Sequence, residues 1–294
     1  MNKIIYSLFL LWPVTLLADH VYEPTTLEMA GRVLEKTVYD VPSDLMGIIG
    51  APFQDAEATV KYALLIGGLV LTDKITTKFY QKHIENNVKY RLPDLKADYL
   101  PSGFSNEDAY LLYGVGTAYL GSMLNRDHKG QATALLASKA IAYSYLFSHI
   151  IGKTLTGRDR PHSDLSQCGQ KDIVFSYGDT CDHLSFGNQR NTILSSDNAA
   201  SAFPSFHATL YFSVARVYQQ AYGDYWWPYS IATLLFASNI KGHHHWVSDL
   251  VVGGLIGTLI GDVVTENYFG KDDLFSLQPV LNSDNVGLAV QYQF

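Results

Sequence analysis

Charge is scarce in this 294-residue chain: 17% of residues are Asp, Glu, Lys or Arg, and 21 Lys and Arg face 28 Asp and Glu for a formal net charge of −7. With no excess of cations to displace counterions from a phosphate backbone, the composition argues against a nucleic-acid partner. Cysteine is scarcer still, with Cys168 and Cys181 the only two. Two thiols without paired histidines make a poor zinc site. Uninterrupted apolar runs are short as well. Leu71 is soon followed by Asp73 and Lys74, Lys139 divides another run, and Leu250 to Gly261 stops at Asp262. A bilayer needs ~20 apolar residues in a helix, so these runs read as core helices of a soluble or peripherally attached body. There is no internal repeat and no low-complexity tract.

Hydrophobic residues nevertheless make up 47% of the chain, clustered in helix-length stretches. These are Glu57 to Thr72, Ala109 to Leu124, Ala132 to Gly152, Ala208 to Tyr218, Tyr225 to Ile240 and Trp246 to Val264. Ser105 ahead of Asp108, and Pro204-Ser205 ahead of the fourth stretch, are helix-start chemistry. Residues 1–18 read as a secretory signal, with Lys3, an apolar segment and Leu16-Leu17-Ala18 as the cleavage site. An exported, periplasmic protein follows, with membrane association compatible. Residues 19–104 form an N-terminal helical region and residues 105–269 the catalytic core. Residues 270–294 form a small β-hairpin, because Val286, Leu288, Val290, Tyr292 and Phe294 alternate with smaller or polar residues. Asp164 to Ala202 lacks periodicity and reads as a long ordered loop near the site. It holds both cysteines, which in an oxidising compartment are expected to pair and to stabilise by about 2–3 kcal/mol.

Three segments carry chemistry: Lys153 to Pro161, Phe203 to His207 and Ser238 to Asp249. Two cations, Lys153 and Arg160, suit the oxygens of a phosphate, one as a point charge and the other as a planar fork. His245 and Asp249 stand four apart, so on a helix they share a face and the carboxylate can fix the imidazole tautomer. Ser205 and His207 stand at a helix start, where unpaired N–H groups favour an anion. His149 reads as a core or supporting residue. Three consecutive histidines, His243 to His245, point in different directions on a helix and do not make a metal site; no metal or other cofactor is expected.

Order and spacing together resemble the phosphatidic acid phosphatase type 2 superfamily, which includes bacterial acid phosphatases, lipid phosphatases and vanadate-dependent haloperoxidases. Its signature is Lys, six residues, Arg-Pro; then Pro-Ser-Gly-His; then Ser-Arg, five residues, His, three residues, Asp. Lys153, Arg160, Pro161, Pro204, Ser205, His207, Ser238, His245 and Asp249 match, over a resemblance covering roughly residues 105 to 265. It implies an all-α bundle with the site at one end. It also implies metal-independent hydrolysis of phosphate monoesters, lipid or small and soluble, with His245 as nucleophile and His207 as acid and base. Lys153, Arg160, Ser205, Phe206 and Ser238 fall in the phosphate-binding set. Two positions depart from the pattern. Phe206 replaces a glycine and would add an apolar wall, and Asn239 replaces an arginine, for which Lys241 or Arg158 could compensate. Alternatives are a vanadate-dependent haloperoxidase and a non-catalytic phosphate-binding or envelope-structural relative.

Overall fold

The computed structural model describes residues 25–95, 99–189, 199–238, 240–242, 244–270, 275–282 and 285–292. The expected signal segment 1–18, Asn239 and His243 lie outside them. The architecture is all-α, as the apolar stretches implied. Helices α1 (Thr26–Tyr39), α2 (Val41–Gln54) and α3 (Ala56–Tyr80) come first, α3 running on as a π-helical segment Gln81–Glu85. After α4 (Asp108–Leu124), α5 (His128–Ser144) continues through π-helical Tyr145–Gly152 into the short α6 (Lys153–Thr156). Then follow α7 (Phe206–Tyr222), α8 (Trp226–Ser238), a 3-10 turn at Ile240–Gly242 and α9 (Val247–Phe269).

Two helices absent from the periodicity reading are α1 and α2. The first carried a usable signal, since Thr25 and Glu28 form a capping box in which each side chain receives the other's backbone N–H. Val33 of α1 and Ile48 of α2 enter the same apolar core as Leu136, Phe206, Leu210 and Ile260. Lys139, which divides an apolar run in the sequence, does not interrupt α5. It is buried 2.6 Å from Asp44 of α2, whose carboxylate also accepts from Tyr143 Oη at 3.1 Å and from Asn267 Nδ2 at 2.8 Å. Likewise Asp262 does not end α9, because Arg216 Nε of α7 donates to it at 2.5 Å. The helical segments His128–Thr156 and Val247–Phe269, 29 and 23 residues, are consequently long and apolar enough to cross a membrane, although about half of each is buried in the body.

The closest helix pair is α7 on α9, and glycine sets its spacing. A Cβ on Gly257 would stand 2.4 Å from Thr209 O, and one on Gly261 would stand 2.6 Å from Arg216 Cβ. Together with Gly253, spaced by four, they form a smooth stripe on which α7 rests. Ser213 and Ser144 Oγ, 3.0 Å apart, join α7 to α5 beside it.

Between α6 and α7 a two-residue strand β1 (Arg160–Pro161) pairs in parallel with β2 (Asp179–Thr180). The Cys168–Cys181 disulfide, Cα–Cα 5.9 Å, ties this loop. A terminal antiparallel hairpin joins β3 (Phe275–Asn282) to β4 (Asn285–Tyr292), Leu277 opposite Val290.

Because the stripe has no room for a methyl group, Gly257→Ala should destabilise by about 1–3 kcal/mol, read as a lower Tm. Gly254→Ala, whose nearest neighbour beyond its own helix would be Phe212 at 3.8 Å, should leave Tm unchanged or raise it through the ~1 kcal/mol helix preference of alanine.

Candidate active site

Gly157 ends α6 in the left-handed conformation (φ 53°), where its N–H caps Lys153 O, and the chain turns sharply there. That turn delivers Arg158, Asp159 and Arg160 in succession beside the other two motif segments. Ala202 N–H donates to Arg158 O at 2.8 Å, Thr156 Oγ1 to Phe203 O at 2.6 Å, and Trp246 Nε1 to Asp159 O at 3.0 Å. Ser205 N–H donates to Asp249 O at 3.0 Å. The three segments, up to 96 residues apart in the chain, thus meet through direct hydrogen bonds.

Lys153 is buried at the start of α6, and Arg160, also buried, donates from Nε to Ser201 Oγ at 3.3 Å. Ser205 is the N-cap of α7, its hydroxyl accepting from Ala208 N–H at 3.4 Å, which leaves its proton to donate elsewhere. His207, the second residue of α7, has Nε2 3.2 Å from Asp108 Oδ2. Asp108 in turn accepts from Tyr211 Oη at 2.6 Å and from Ser105 N–H at 2.6 Å. His244 precedes the nucleophile candidate with a positive φ of 40°, and burial and the nearby Arg160 guanidinium hold its imidazole below the usual value.

His245 Nδ1 stands 3.3 Å from Asp249 Oδ2, which also accepts Trp246 N–H at 2.9 Å. The other oxygen of Asp249 takes Arg158 Nη1–H at 2.7 Å. Arg158 is fully buried between two carboxylates, its Nη2 donating to Asp73 Oδ2 at 2.7 Å and to His183 O at 2.5 Å, and its Nη1 also to Ser248 Oγ at 2.7 Å. Its face lies on Phe186, 4.6 Å from the ring centroid. Burial pushes the Asp249 carboxyl up to about 7; Arg158 pulls it down, Asp73 adds to the rise, and the Trp246 N–H lowers it.

Several sequence expectations meet a different geometry. Arg158, a possible substitute for the missing arginine, has both terminal nitrogens engaged in holding Asp249, Asp73, Ser248 and His183. Lys241 is exposed on the 3-10 turn and faces Glu85, whose carboxyl burial pushes up to about 7 with Lys241 opposing. The Phe206 ring is fully buried and walls no open surface: it packs against Phe104, Tyr145 and His149 at 5.0–5.7 Å between centroids. Ser238 is buried with its hydroxyl donating to Leu235 O of its own helix. Asp73, Ser201, Ser248 and the role of Asp108 toward His207 were not foreseen. For Asp108 the signal was present, but Ser105 and Asp108 read as a helix start and nothing more.

Comparison with known proteins agrees with the motif resemblance. A lipid A 1-phosphatase of Porphyromonas gingivalis is 31% identical over 82 residues, 26% of this chain and 18% of that protein, so the match spans under a fifth of the relative's length. No solved structure matches. The profile of the PAP2 superfamily matches residues 132–272, the stretch that holds all three motif segments, and this part of the chain belongs to that superfamily.

Proposed function

We propose that this protein is an exported, metal-independent phosphatase of the PAP2 type that cleaves phosphate monoesters through a phosphohistidine on His245. The observation that carries the reading is the joining of the three motif segments by hydrogen bonds around the His245–Asp249 pair, with Ser205 N–H on Asp249 O and Trp246 Nε1–H on Asp159 O. With Nδ1 turned to Asp249, Nε2 of His245 is the atom to attack phosphorus. The P–O bond to the leaving group breaks as the P–N bond forms, and His207 protonates the departing alkoxide. Neutral again, His207 takes a proton from water, whose oxygen displaces His245 and releases inorganic phosphate. Lys153 and Arg160 hold the equatorial oxygens, and Ser205 donates its hydroxyl proton to one of them.

A lipid phosphate is the substrate we favour. The partial relative named lipid A 1-phosphatase supports this, and so does the distribution of apolar surface. Helix α3 buries Asp73 and Thr77 while Val60, Leu64, Leu71, Ile75 and Phe79 face outward, Leu64 with 72% of its surface exposed. Trp226, Ile231 and Leu234 of α8 also face outward. Helices with polar residues inside and apolar residues outside suit a body attached to a membrane. An apolar cleft of about 340 Å³ between α4, α7 and α8 is walled by Val214 and Tyr218, which continue down α7 the face that begins at His207 and Tyr211. That cleft is where we place the hydrocarbon chain of a substrate whose phosphate lies beside His207.

In a p-nitrophenyl phosphate assay containing EDTA, His245→Ala should lower turnover by at least about 10⁴-fold and abolish acid-labile, base-stable phosphate incorporation into the protein. EDTA-resistant turnover by that variant would remove the reading, and wild-type inactivity on every phosphate ester would favour a binding protein. Arg160→Ala should lower kcat/KM by ~100–1000-fold. Asn239→Arg should raise kcat, by up to about 100-fold if the phosphate lacks a donor there, since one such donor typically contributes ~3 kcal/mol; an unchanged or lower kcat would mean that the place is already filled.

A further inference from the structure

We propose that Asp73, on α3 and outside the stretch that matches the family, is a positioning residue for the nucleophile, sharing the Arg158 guanidinium with Asp249 so that the three-residue cluster faces His245 with a surplus of negative charge. The proposal rests on the phosphohistidine reading above. Its physical basis is a charge count. Asp73, Asp249 and Arg158 are all fully buried, and two carboxylates on one guanidinium leave a net charge of −1. An imidazole that bonds to phosphorus becomes positive, and this surplus negative charge is then matched. With Asp73 absent, Arg158 would neutralise Asp249 alone, and the positive imidazolium ring would face a neutral pair on its Nδ1 side, which a low-dielectric interior disfavours.

Asp73 also fixes where the nucleophile's helix begins. Its Oδ1 accepts Ser248 N–H at 2.9 Å and its Oδ2 accepts the Ser248 hydroxyl, while Thr77, one turn on, accepts Val247 N–H at 3.0 Å. The first N–H groups of α9, which have no partner within the helix, are therefore capped from α3. The same face of the helix continues at four-residue spacing. Gln81 donates to His162 O at 2.9 Å and accepts Leu165 N–H at 3.0 Å, bracing the loop that follows Arg160, and Glu85 faces Lys241. Position and charge are separable here, because Thr77 contributes only the cap and Asp73 contributes both.

The test is a set of pH–rate profiles for p-nitrophenyl phosphate hydrolysis by the full chain and four variants, each checked for folding by thermal melt. Asp73→Asn should lower kcat by about tenfold with KM within about twofold, and should move the acid limb of the kcat profile to lower pH by at least roughly half a unit. The sign follows from electrostatics, since removing a nearby negative charge makes the His245–Asp249 pair release its proton more readily. Thr77→Ala should leave that limb in place. Asp73→Asn combined with Arg158→Gln removes one charge of each sign, restores the net −1, and should bring the limb back to within about 0.3 unit of wild type. The paired variant keeps the cluster at the net −1 of the wild type, so it reports even where Asp73→Asn alone does not fold. An acid limb unmoved in Asp73→Asn, one moved equally by Thr77→Ala, or one not restored by the paired variant overturns the proposal while leaving His245 as nucleophile. Turnover surviving in His245→Ala overturns the phosphohistidine reading and this proposal with it.

Discussion

A buried guanidinium is the constraint around which this protein is organised. Arg158 is out of contact with water, and such an ion is tolerated only if its hydrogen bonds and its charge are both met. Asp249 and Asp73 supply the charge, and Ser248 and His183 add acceptors for its terminal nitrogens. Because those partners come from α9, α3 and the loop after β2, satisfying one side chain forces three distant parts of the chain together. His245 and the segment carrying Arg160 are placed as a by-product, one through Asp249 and the other through its sequence neighbour.

A second constraint, steric where the first is electrostatic, joins the helix that carries His207 to the one that carries Asp249. Gly253, Gly257 and Gly261 let α7 lie against α9 with backbone almost in contact. Ser205, at the top of α7, then reaches Asp249 O with its N–H. Close packing matters for the proposed chemistry, in which two histidines and a phosphate share a region a few ångströms wide, because interiors this dense do not deform by small amounts.

Helix α3 links the site to the outer surface. Its inward face is polar and occupied by the site's supports, and its outward face is apolar. A soluble core helix shows the opposite arrangement. One element can thus hold α9 in place and still turn Leu64, Leu71 and Ile75 outward, which links the lipid substrate proposed above to the residues proposed to process it.

Much of this was legible in the sequence. Helix-length apolar stretches foretold α3 to α5 and α7 to α9 within a few residues, with α3 and α9 running longer than expected, because burying an apolar face is a local pattern read from one strip of sequence. The alternation after Leu281 foretold β4. Lys153, Arg160, Ser205, His207, His245 and Asp249 stood out as candidates because their types, order and spacing resemble the superfamily signature and supply cations, a hydroxyl and a histidine with its carboxylate. What the sequence did not show is that the long helices through Lys139 and Asp262 bury or pair these charges, which look like interruptions of an apolar span until Asp44 and Arg216 are seen to neutralise them. Nor could the sequence reveal the burial of Phe206 or the engagement of Arg158. Asp73 precedes Asp249 by 176 residues, and only folding brings the two carboxylates to one guanidinium. Local composition determined which groups this protein has for handling a phosphate; the tertiary structure decided which of them meet, because the compensation of a buried charge depends on distance in space and not along the chain.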